Sequence, residues 1–179
     1  MTVNEEQQVK MHADFFDRCN VAIDNGFYYE AILMEYAAIE SRLEVLCGIL
    51  GLPCGKKSEF RKDIAISSRI ECLRVFCNRN ADLLARTKIP PTFFAKKGEL
   101  QTWIGERNRR VHGLYKDEVQ YSYRTAGNQE LATQGEQYAR LLYNEVKRLR
   151  RLQKIKQSLF VNAVLLCKVK NCKARKEPD

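Results

Sequence analysis

Apolar residues recur along most of this chain at spacings of three and four, the period of an amphipathic helix rather than the alternation of a strand. Residues 4–24 predict a first helix, with Val9, Phe15, Phe16, Cys19, Val21 and Ala22 as its apolar surface. Asp24-Asn25-Gly26 predicts a turn, and Asp24 or Asn25 is placed to cap the next helix. That second helix has the clearest pattern. Ile32, Tyr36, Ile39, Leu43, Leu46 and Leu50 form a narrow seam suited to antiparallel bundle packing. It should end near 48–51, where two glycines precede Pro53.

A third helix is expected from a Ser58 cap to about residue 80, burying Ile64, Ile70, Leu73, Val75, Phe76 and Cys77. Residues 81–94 predict a short helix and then a break at Pro90-Pro91. A fourth helix starts near 98, and Gly113 loosens it, ends it or admits another backbone. A polar loop at 115–128 precedes a long fifth helix over 129–157, apolar at Tyr138, Leu142, Val146, Leu149 and Leu152. Residues 158–167 continue that helix or form a short strand. The expected fold is all-α: an antiparallel bundle of about five helices over 1–157, with a basic extension over 158–179.

A chain of 179 residues with four prolines, nine glycines and 30% charged residues suits one compact helical domain. No apolar run approaches the roughly 20 residues that span a bilayer, so no membrane is expected. The polar, acidic N-terminus argues against a signal peptide. Seven cysteines, several on apolar helical positions, read as reduced thiols of a cytoplasmic protein. The Cys72/Cys77 and Cys167/Cys172 pairs lack the tight spacing of a zinc knuckle, so no metal or other cofactor is expected. Glu30, Glu35, Glu40 and Glu44 share one helix, but Arg109 stands where a di-iron bundle would need its glutamate before His112.

The net charge of +9 is concentrated. Residues 147–179 hold 11 basic and 2 acidic residues, which leaves 1–146 balanced. Lys147, Arg148, Arg150, Arg151, Lys154 and Lys156 make a basic helix that is either a solvated face or an RNA-backbone contact. No aromatic residues interleave with it, so base stacking is not expected there.

The candidate chemistry lies at 107–115, R-N-R-R-V-H-G-L-Y. Leu100, Ile104, Val111 and Leu114 form an apolar stripe with Arg107 in its middle, and arginine is seldom buried unless paired. Asn108 and His112 stand four apart at its edge, so their side chains are neighbours. His112 suits proton transfer near neutral pH, and Arg107 offers a fixed charge and a planar fork of donors to phosphate. Together they suit attack of an RNA 2′-hydroxyl on the adjacent phosphate, with Asn108 orienting the ring or holding substrate. One histidine does not easily act as base and acid in one step; a two-fold dimer would supply the second. Arg109 and Arg110 are read as solvated or phosphate-steering, and His12 as an ordinary surface residue. The plainer alternative makes Arg107 a snorkelling cation and His112 a surface residue near a helix end.

Arg107-Asn108, three residues and His112, late in an all-α chain, resemble the R-x4–6-H motif of HEPN domains, in which R-N-x3-H is common. The resemblance implies a small helical bundle that dimerises through its motif helices. It also implies metal-independent endoribonuclease activity in RNA processing, toxin–antitoxin systems or antiviral defence, with an antitoxin or defence-system protein as partner. By it, Arg107 and His112 are catalytic and Asn108 supports them. A polar residue on an earlier helix faces the motif, for which Glu40 is the candidate and a counter-charge to Arg107. One toxin branch carries a tyrosine two positions after the histidine. Here Tyr115 comes one position later, on another side of the helix or past its end. The alternative function is a non-catalytic HEPN-like module that binds RNA or protein and dimerises. A third reading is a helical adaptor whose basic tail docks on an acidic protein.

Overall fold

The helical period governs the computed structural model, which describes residues 5–52, 65–80, 88–90, 92–114 and 126–173, and side chains at 11, 13–52, 65–80, 88–90, 92–113 and 127–153. Among these residues stand five helices and no strand: α1 (Glu5–Asp24), α2 (Tyr28–Ile49), α3 (Ile66–Arg79), α4 (Glu99–Leu114) and α5 (Ala126–Lys173). The expected Ser58 cap, Ile64, Pro91 and the segments 81–87 and 115–125 lie outside the described residues.

Glycine makes the ends of α1 and α2. Gly26 and Gly51 take left-handed backbone at φ 77° and 68°. The amides of Phe27 and Leu52 then reach back to the Ala22 and Cys47 carbonyls at 2.8 and 2.9 Å. This turn places Phe27, not Asp24 or Asn25, at the start of α2, without a side-chain cap. Asn25 closes the helix behind it instead, its amide donating to the Val21 carbonyl at 2.7 Å.

The α2 seam packs as its spacing demands, with Ile32, Ile39, Leu43 and Leu46 almost wholly buried. They meet Leu73 of α3, Leu100 and Trp103 of α4, and Leu142 and Val146 of α5. Trp103, absent from the predicted stripe, ties α4 to α5 through its indole N–H, which donates to the Leu131 carbonyl at 2.8 Å. Gly135 lets the helices approach: a Cβ there would run into the Glu35 carboxyl and the Trp103 ring. Two apolar positions do not reach the core, since Val21 is 59% and Leu152 43% exposed.

α5 begins before residue 129 and continues as helix through 158–167, so no strand forms there and the backbone does not break at 157. Its 48 residues extend roughly 72 Å at helical rise, far beyond the 22 residues of α2. The four cysteines whose side chains are described, Cys19, Cys47, Cys72 and Cys77, form no disulfide. Burial pushes the Cys19 thiol up to about 12, with help from nearby Glu35 and Glu136, so it stays protonated. No described helix is long and apolar enough to cross a membrane.

Candidate functional site

α4 turns its first half into the core through Leu100, Trp103 and Ile104, and Arg107 comes one turn later on the same face. It is half-buried and meets α2. Its guanidinium lies over the Tyr36 ring, 4.1 Å from the centroid, a cation–π seat partly withdrawn from water. Nη1 donates to Oδ1 of Asn108 at 2.9 Å. Nε is buried and meets no acceptor among the described residues. Arg107 is thus held by a ring and an amide, with its positive charge uncancelled by any described carboxylate hydrogen-bonded to it.

Glu40, expected as that carboxylate, is engaged by another arginine. Glu40 and Glu44 lie one turn apart on α2 and bracket Arg69 of α3, each at 3.4 Å. α3 delivers a cation to this pair, so Glu40 is matched by Arg69 rather than Arg107. Tyr36 sits among them. Burial first, and Glu40 second, raise its hydroxyl above the ordinary tyrosine range, while Arg107 and Arg69 pull the other way.

Asn108 is half-buried and His112 exposed. Arg107 engages the Asn108 amide oxygen, so Asn108 orients the guanidinium in this structure. Five positions separate Arg107 from His112, roughly 140° around the helix. One copy therefore presents cation and imidazole on different sides of α4.

The expected RNA-binding set divides in two. Arg109 is exposed and pairs within its helix with Glu106 at 2.6 Å. Arg110 corrects the expectation of a solvated residue: it is half-buried and hydrogen-bonds the wholly buried Asn128, clamping the end of α4 to the start of α5. Arg148 pairs with Glu145, itself buried. Lys147 stands over the Tyr143 ring at 5.9 Å, half-buried like Arg148, and Arg150 and Arg151 are exposed. Tyr115 and the side chains of His12, Lys154 and Lys156 lie outside the described residues.

The hydrophobic pattern marks Tyr36 only as a seam residue and gives Arg69 no role. The signals present in the chain are a tyrosine where the seam otherwise carries aliphatic residues, and two glutamates one turn apart that call for a cation from another helix. Nor does the pattern show that Glu35 is fully buried with neither carboxyl oxygen hydrogen-bonded. Burial, with Glu136 adding, pushes its carboxyl up to about 9, so it is neutral at pH 7. Among the described residues no three of His, Cys, Asp and Glu converge as metal ligands. No protein-family model, curated protein or solved structure matches this chain.

Proposed function

We propose that the chain is a metal-independent endoribonuclease that works as a two-fold dimer, with Arg107, Asn108 and His112 at the site. The observation that carries this reading is the seat of Arg107: a guanidinium fixed by Tyr36 and Asn108, its charge free for phosphate, little more than one helical turn from an exposed imidazole. In the reaction the RNA 2′-oxygen forms a bond to phosphorus as the bond to the 5′-oxygen breaks. One His112 takes the 2′-hydroxyl proton, and the partner's His112 gives a proton to the leaving 5′-oxygen. Arg107 carries the charge that grows on the phosphoryl oxygens. The products are a 2′,3′-cyclic phosphate and a 5′-hydroxyl. The HEPN resemblance supports a toxin or antiviral-defence setting with a protein partner that restrains cleavage.

The test is cleavage of single-stranded RNA by the purified protein with EDTA present. His112→Ala should lower the rate by about a hundredfold or more, and Arg107→Ala comparably. Full activity in either variant would sink the assignment. The burial of Arg107 Nε favours a second reading, in which the motif serves dimerisation alone. Then Arg107→Ala shifts the monomer–dimer equilibrium in sedimentation while no RNA is cut.

A further inference from the structure

Among the described residues, arginines withdrawn from solvent have an acceptor, with one exception. Arg69, Arg74 and Arg148 meet carboxylates, while Arg107 and Arg110 meet amide oxygens. Arg42 of α2 is half-buried and meets no acceptor among the described residues. Its guanidinium stands 5.9 Å from the Tyr143 ring centroid. Burial, and then Arg150, hold it below the usual arginine range. Lys147 approaches the same ring at 5.9 Å. Arg42 and Lys147 thus share the Tyr143 ring, Arg150 lies near enough to repel Arg42, and no described carboxylate is paired with Arg42.

Beside them lies a cavity of about 260 Å³ between α1, α2 and α5, lined by Phe15, Phe16, Ala38, Ala139, Tyr143 and Arg42 among others, and by no acidic side chain among the described residues. Its rings form an edge-to-face wall, Phe15 to Phe16 at 5.4 Å and Phe16 to Tyr143 at 5.9 Å. The volume falls below the roughly 300–1,000 Å³ of sites for drug-sized ligands, which suits one flat ring system. Arg42 comes six positions after Tyr36, which sets it roughly 240° around α2 from the Arg107 seat. The two sites are therefore separate.

We propose that this cavity binds one unpaired nucleotide of an RNA chain, the base against Phe15 and Tyr143 and its phosphates on Arg42, Lys147 and Arg150. The proposal rests on the RNA reading above but not on cleavage. An aromatic wall with a cation at its rim is the combination that stacks a base and neutralises its backbone, worth about 1–3 kcal/mol per stacked base. Arg150 and Arg151 follow Lys147 one turn further along α5, as a path for further phosphates. A fatty acid would need a single cation and a longer channel.

The experiment measures anisotropy of a fluorescein-labelled single-stranded RNA on the full chain carrying His112→Ala, with AMP as competitor. Ser41→Trp, at the exposed cavity mouth, and Arg42→Gln should each weaken RNA binding about tenfold and abolish competition by AMP. Circular dichroism melting tests whether each variant folds, and Ser41→Trp alone decides if Arg42→Gln does not. Undiminished binding in Ser41→Trp overturns the proposal, as does a cavity that takes a labelled fatty acid and ignores AMP. RNA bound through this site by a wild-type protein that cuts nothing sinks the nuclease reading and leaves the nucleotide site standing. Cleavage by a protein whose binding ignores Ser41→Trp does the reverse.

Discussion

The two flanks of α2 treat positive charge in opposite ways. On one, Arg69 is matched by Glu40 and Glu44, and Arg107 is fixed by Tyr36 and Asn108. On the other, Arg42 meets Tyr143 and the repulsion of Arg150. A cation cancelled by carboxylates, as Arg69 is, contributes to geometry; Arg107 is oriented by its seat but keeps its charge, and Arg42 keeps its charge with only a distant ring beside it. Between them, on the buried ridge, neither Glu35 oxygen is hydrogen-bonded, and the carboxyl gives up its charge altogether. The contrast comes from water. An open flank still solvates an unpaired ion, but the centre of the bundle does not.

The severest test of this contrast is to titrate the ridge. The folded Glu35 carboxyl titrates at about 9 against an ordinary value of 4.5, so the folded state binds the extra proton. Its contribution is fully present below the ordinary value and is lost as pH rises through the folded one, at about 1.4 kcal/mol per pH unit. Urea unfolding should therefore show stability falling by about 4 kcal/mol between pH 5 and pH 8. Glu35→Gln should remove most of that slope. A wild-type protein equally stable at both pH values would show that Glu35 is solvated after all.

Next in size is Gly135→Ala. The added methyl meets the Glu35 carboxyl and Trp103, forcing α5 away from α2 at a cost of about 2–3 kcal/mol in thermal unfolding. An unchanged melting temperature would mean that the helices are not closely packed there.

Two arginine substitutions set the flanks side by side. Arg69→Met leaves Glu40 and Glu44 facing each other one turn apart and should cost about 1–2 kcal/mol, discounted because both carboxylates are partly exposed. Arg42→Met removes a cation that no acid misses, and stability should stay within about 0.5 kcal/mol of wild type. Equal losses in the two variants would erase the distinction.

Much of the bundle is legible in the chain because helical period and glycine punctuation are local. Ile32, Ile39, Leu43 and Leu46 are buried as their spacing requires, and Gly26 and Gly51 end their helices. Asn25 misleads because a capping residue works only at the right position, and Gly26 moves that position two residues on. The motif at 107–112 is legible as residue types, but its partners are not. Tyr36, which seats Arg107, and Arg69, which takes the Glu40 expected there, come from helices far away in the chain, and nothing in residues 100–114 names them. The basic helix carries no interleaved aromatics of its own to stack a base. Folding instead brings Phe15 and Phe16 of α1 beside Tyr143.

Sequence alone dictates the all-α class, the α2 seam, the basic bias of the last fifth and the presence of Arg107, Asn108 and His112. Each comes from periodicity, composition or adjacency, which are properties of neighbouring residues. Which charges are cancelled is settled only when the helices pack. Packing gives Glu40 to Arg69, seats Arg107 on Tyr36, buries Glu35 against Gly135 and leaves Arg42 unmatched. The physical reason is range. A charge takes its state from the water, rings and opposite charges within a few ångströms, and in a bundle those come from other helices.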